Sequence, residues 1–252
     1  MIKICIIILL SISCANFSKV YDHRRVKKQE KIAREFINAG EKYRRLNQFS
    51  VSLKNYSSAA HIYRAKFDYE EESKVLLKIG YIFTKMRDLT NYSNVIARLR
   101  SISSKIDRSQ EKILSLEIRK NLEFSEYDIA IKHLKKIISI TDGVRRAYYI
   151  GKKIDLEKFK NQDDIKALIM WSQSSGNNLE NINLIQSPES HIFVNKILAL
   201  SSKRSGNDKS FKMYLDNCEK IIQYYELTDY SKSIRELRRS NKYSSKQVIA
   251  NP

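Results

Sequence analysis

Glycine and proline are nearly missing from this sequence. Six Gly and two Pro stand in 252 residues, about 3% where an average chain carries about 12%. Folds assembled from many tight turns need such residues roughly every 8–12 positions, so sandwiches and barrels of short strands are excluded. Gly40, Gly80, Gly143, Gly151, Gly176 and Gly206 never cluster. Neither a dinucleotide-binding fingerprint nor a phosphate-cradling loop can be written with them.

Metal-binding and nucleophilic residues are equally sparse. His23, His61, His133 and His191 are scattered, without a His-x-x-x-His or His-Glu-x-x-His pair, and the cysteines are three: Cys5, Cys14 and Cys218. That set does not make a zinc site. No Gly-x-Ser-x-Gly elbow occurs. The adjacent carboxylates Glu70-Glu71-Glu72 and Asp163-Asp164 fall at expected helix starts, where negative charge favours the macrodipole. The chain is expected not to be an enzyme and to use no cofactor and no metal.

What is present points to helices. Hydrophobic residues make up 42% and aromatics 10%, too many for disorder. Long uninterrupted segments rich in Lys, Glu, Leu, Ile and Ala predict an all-α fold. Periodicity and caps place helices near Arg24–Leu46, Ser50–Lys66, Tyr69–Arg87, Asn91–Ser103 and Arg108–Phe124. A sixth, capped by Ser125, runs to Ile140. Further helices follow at Val144–Phe159, opened by Thr141 or Asp142, and at Asp163–Gln173. Ser174–Gln186 reads as a loop or short helix. Ser187 with Pro188 starts a helix to Arg204, Asn207 caps one to Glu226, and Asp229–Arg239 is the last. Residues 241–252 read as a disordered tail.

The N-terminus is a signal-peptide pattern: one Lys3, an apolar run, then small residues. Ile4–Phe17 gives at most 14 such residues, short of the ~20 that span a membrane. Leu10-Ser11-Ile12-Ser13-Cys14 resembles a bacterial lipobox, in the looser form of spirochaetal lipoproteins, with Ser11 where Leu is usual. That resemblance implies cleavage before Cys14 and its acylation. The competing reading cleaves after Ala15 at Ser13-Cys14-Ala15 and releases a soluble periplasmic or secreted protein. Either way Cys218 is left alone, and its apolar surroundings mark it as a small core residue. The domain plan is a signal peptide at 1–13, a tether at 14–23, a helical domain at 24–240 and the tail.

Charge is the other imbalance: 47 Lys+Arg against 28 Asp+Glu, net +19. Nucleic acid is the usual partner of such a chain, but export separates the two, so no nucleic acid is expected. The basic stretch Lys19–Lys31 suits anionic headgroups beside a lipid tether, or is a solvated helix face.

An internal repeat organises the helices. Phe36-x-x-Ala39-Gly40-x-x-Tyr43, followed by Ser52-x-x-x-Tyr56-x-x-Ala59, aligns 40 residues on with Leu76-x-x-Ile79-Gly80-x-x-Phe83 and Tyr92-x-x-x-Ile96-x-x-Leu99. Phe124-Ser125-Glu126-Tyr127, with Ala130, Leu134 and Ile137, continues it, although Ile118 and Asn121 depart from the pattern. This resembles the tetratricopeptide (TPR) repeat, with a period longer than the usual ~34 residues. The resemblance implies an α-solenoid of about five TPR-like hairpins, each glycine letting the second helix lie close to the first. The alternative is an irregular helical bundle.

In TPR proteins the first helix of each hairpin lines a binding groove. Carried over, the groove positions are Arg34, Ile37, Glu41, Arg44, Arg45 and Gln48, then Lys74, Leu77, Tyr81, Thr84, Lys85 and Asp88, then Lys112, Ser115, Arg119 and Leu122. The partner-binding set is Arg34, Arg44, Arg45, Lys74, Tyr81, Lys85, Lys112 and Arg119, suited to a protein or acidic peptide partner. The expected function is an envelope scaffold or accessory lipoprotein, anchored to the inner or outer membrane by lipid at Cys14. The alternative is a surface-exposed basic lipoprotein that binds polyanions or host molecules.

Overall fold

A computed structural model of the chain describes residues 27–173 and 187–247. The signal segment with Cys14, the loop expected at Ser174–Gln186 and the last five residues lie outside the described residues. Within them the chain is all-α, with eleven α-helices and no strand. These are α1 (27–45), α2 (Phe49–Ala65), α3 (Tyr69–Met86), α4 (Leu89–Ser101), α5 (Ser109–Glu123), α6 (Tyr127–Ile140), α7 (Gly143–Leu156), α8 (Gln162–Trp171), α9 (Pro188–Arg204), α10 (Asp208–Tyr224) and α11 (Ser231–Gln247). Helix α11 continues into the segment the sequence leaves as a tail.

The helices are joined by a recurring turn. Asn47, Phe67 and Arg87 take left-handed backbone, φ 57°, 57° and 58°, at intervals of 20 residues. After each, a backbone N–H reaches back five residues: Gln48 to Tyr43 (2.9 Å), Asp68 to Tyr63 (3.0 Å) and Asp88 to Phe83 (2.9 Å). This is the Schellman closure, which satisfies carbonyls at a helix end. Gly206 and Glu226 repeat it, with Asn207 bonding Ser202 and Leu227 bonding Ile222. The residue after the left-handed one often caps the next helix. Asp68 accepts from the Glu71 N–H, Asp88 from Asn91 and Asn207 from Ser210. Two such steps make the 40-residue period. Ser125 is not the cap of α6 but its left-handed residue (φ 60°), and Glu126 occupies the cap position. Ser187 makes no cap bond either; its hydroxyl donates to the Ser190 hydroxyl.

The chain forms two compact units, divided between Phe124 and Ser125. In the first, α3 packs against α2, α4 and α5. Its core holds Tyr56, Ile82 and Leu99, all fully buried. Glu72 of α3 is also fully buried, and its carboxylate accepts from Arg64 of α2 and Arg98 of α4. Burial opposes its ionisation, but the two guanidiniums outweigh that and lower its pKa. In the second unit α9 pairs with α10, and α7 packs against α6, α8 and α9. Leu168, Leu198, Leu215, Ile221 and Ile234 fill its core. Cys218 belongs to that core, and burial pushes its thiol up to about 12, which leaves an inert side chain rather than a nucleophile.

Gly40 and Gly80 mark close approach. A Cβ on Gly40 would lie 2.6 Å from the Tyr56 ring, on the second helix of the same hairpin, and the Ser52 hydroxyl donates to the Gly40 carbonyl at 2.7 Å. At Gly80 the nearest atom to such a Cβ is on Leu116 of α5, at 2.5 Å, with Val95 of α4 at 3.3 Å. The second glycine therefore admits mainly the first helix of the next hairpin.

Candidate functional site: a basic groove on three helices

A cavity of about 330 Å³ opens on the first unit, lined by Glu41 and Arg44 of α1, Leu77, Lys78 and Tyr81 of α3, and Ser115, Leu116 and Arg119 of α5. Three cations thus face one carboxylate over an apolar floor of Leu77 and Leu116. Tyr81 stands at the centre. Arg119 lies 4.7 Å from its ring centroid, Arg44 5.7 Å and Lys85 6.0 Å, within reach of the ring quadrupole.

Glu41 is the hub of the charge network. Its carboxylate accepts from Arg44 Nε at 2.9 Å and from Lys78 Nζ across to α3. Burial alone would raise its pKa; the cations Lys78 and Arg44 that donate to it, with the Tyr56 hydroxyl nearby, outweigh that and hold it down at about 2. The Tyr56 hydroxyl titrates above its ordinary range, through burial and then through the neighbouring Glu41 carboxylate. Arg119 differs from the other cations of the cavity: among the described residues it has the Tyr81 ring beside it and no carboxylate partner.

Of the eight residues predicted from sequence, Arg44, Tyr81 and Arg119 meet in this cavity. Lys85 stands at its edge against the Tyr81 ring and is paired with Glu123. Arg34 and Arg45 are exposed on α1 and do not line it. Lys74 is exposed and paired with Glu71 at 2.5 Å. Lys112 is buried and bonds Glu70 at 2.6 Å and the Ser73 hydroxyl at 2.9 Å, which ties α5 to α3. Thr84, a predicted groove position, is also buried and donates to the Gly80 carbonyl. Lys78 and Leu116 line the cavity without having been predicted. Lys78 was legible in principle, as the counter-charge that Glu41 needs on the neighbouring first helix.

The second unit has a larger groove, about 760 Å³, lined by Glu219, Ile222, Gln223, Glu226, Thr228, Ser231 and Arg235. It contains no predicted site residue and two carboxylates to one guanidinium, so it offers no comparable convergence of charge. Among the described residues no group of three or more His, Cys, Asp or Glu could hold a metal ion, and no helix is long and apolar enough to cross a membrane. Comparison with protein-family models, with curated proteins and with solved structures finds no match for this chain.

Proposed function

We propose that this chain is a TPR-like helical-repeat scaffold or accessory lipoprotein of a bacterial cell envelope, tethered through acylated Cys14, that binds a protein partner in the groove of its first unit. The observation that carries the reading is the convergence of Glu41, Arg44, Leu77, Tyr81, Ser115 and Arg119 from three successive first helices into one cavity. Cations above an apolar, aromatic floor suit an acidic peptide segment with apolar side chains: the charges orient it and the floor anchors it. The test is capture from envelope extract on the immobilised full chain, with Tyr81→Ala and Arg119→Glu chains beside it. A partner of the groove is retained by the wild type and lost from both variants. The tether is tested separately: Cys14→Ala moves the protein out of the detergent phase if lipid holds it, and unchanged partitioning contradicts the lipoprotein reading.

A second reading is favoured by α11. Lys232, Arg235 and Arg239 lie three and four residues apart on this helix, exposed and without a carboxylate partner among the described residues. Cations at that spacing repel one another, and a polyanion would relieve the repulsion. Binding of this kind weakens steeply from about 0.05 to about 0.5 M salt, whereas an apolar-anchored segment in the groove holds.

A further inference from the structure

The groove already contains an anion of its own. Glu41 reaches from α1 to Lys78 of α3 and turns back to Arg44, so two of the three lining cations are occupied by a carboxylate of the same chain. Arg119 is left over the Tyr81 ring with no carboxylate partner among the described residues. Next to Glu41 in the chain is Gly40, against which the fully buried ring of Tyr56 is seated where a Cβ would collide with it. The glutamate is therefore set on a rigid base, with donors on two helices turned toward it.

We infer that Glu41 is an internal stand-in for the ligand: the partner's own carboxylate takes its place on Arg44 and Lys78 while a second acidic group meets Arg119. The inference rests on the groove reading above and adds the chemistry of the ligand and a restraint on its binding. A segment presenting two carboxylates around an apolar side chain matches the arrangement, because Leu77 and Leu116 line the same cavity as the cations and the Tyr81 ring has both Arg44 and Arg119 beside it. Because Glu41 is covalently attached, it competes at high effective concentration with any incoming carboxylate. Only a ligand that gains contacts with the floor and with Arg119 as well displaces it, so a lone carboxylate is turned away.

The experiment uses the folded full chain and a fluorescently labelled hexapeptide of alternating Leu and Glu, titrated by anisotropy. Glu41→Gln keeps the shape and removes the competing charge, and is expected to tighten binding about ten-fold. Glu71→Gln makes the same change in net charge at an exposed pair outside the cavity and is expected to stay within about two-fold of wild type. Glu41→Asp keeps the charge but shortens the reach to Lys78, and is also expected to tighten binding, which a pure net-charge effect does not produce. Thermal melts establish that each variant is folded. If Glu41→Gln and Glu41→Asp bind no better than Glu71→Gln, the stand-in role is wrong. If the wild type binds, loses the peptide on Arg119→Glu and matches Glu41→Gln, the groove reading stands and the stand-in role falls. If neither wild type nor Glu41→Gln binds, both fall.

Discussion

Arg98 holds Glu72 by two parallel bonds, Nε at 2.9 Å and Nη2 at 2.8 Å, across the interface between α4 and α3. The planar guanidinium suits a carboxylate in this way, and Lys could not reproduce it. Arg64 of α2 completes the clasp at 2.8 Å with a side chain that is half exposed. Removing the buried carboxylate leaves the partly buried Arg98 guanidinium without its bidentate partner, so Glu72→Ala is expected to cost about 3 kcal/mol in denaturant unfolding. Arg64→Ala leaves the bidentate pair in place and should cost less than about 1 kcal/mol.

Glu41 makes stability depend on pH. Its carboxyl titrates at about 2 in the folded chain against 4.5 as the reference value. A lowered folded pKa gives stability that is fully present above about pH 4.5 and is lost as pH falls toward 2. Compared with Glu41→Gln, the wild type is expected to be more stable by about 2 kcal/mol at neutral pH, after allowance for solvent screening. The gap should close between those two pH values. Urea titrations of both chains across that range measure it.

The glycines differ in what surrounds them. At Gly40 a methyl group meets the rigid, buried Tyr56 ring at 2.6 Å, whereas at Gly151 the nearest atom, on the partly buried Phe193 of α9, is 3.1 Å away. Gly40→Ala is expected to destabilise by about 2 kcal/mol through overpacking. Gly151→Ala should be near neutral, because the gain in helix propensity of about 1 kcal/mol offsets a small shift. Melting temperatures of the two variants decide it.

Left-handed backbone at non-glycine residues is a store of avoidable strain, about 1 kcal/mol each. Phe67 (φ 57°), 74% exposed, and Glu226 (φ 54°) occupy such positions at helix ends, one in each unit. Phe67→Gly and Glu226→Gly are each expected to raise unfolding free energy by about 0.5–1 kcal/mol, read by chemical denaturation.

These turns explain what could and could not be read in the sequence. Asp88, expected on the groove face of the preceding helix, instead caps α4, which begins at Leu89 and not at Asn91. The helices were legible because apolar periodicity is long and Asn207 announces the start that follows. The 20-residue turn was not, because Asn47, Phe67, Arg87 and Glu226 fill the left-handed position where glycine would have signalled it. The third close-packed glycine stands outside the repeat register. Ile150-Gly151-x-x-Ile154 follows the same pattern as Ile79-Gly80-x-x-Phe83 but stands 71 residues after it, not 40. In the candidate groove, Arg44, Tyr81 and Arg119 were placed by repeat register alone. Lys112 shares α5 with Arg119, and only the meeting with Glu70, 42 residues earlier, puts it under the surface. Depth of that kind is a tertiary fact with no local signal.

A protein partner is proposed for the cavity on α1, α3 and α5. Retention of envelope proteins by the immobilised full chain, at about 0.5 M salt so that surface charge is screened, tests it most directly. A partner retained by the wild type, and released by both Tyr81→Ala and Arg119→Glu while those variants stay folded, is the result expected here. Retention that survives both substitutions, or that vanishes for the wild type as salt is raised, contradicts it.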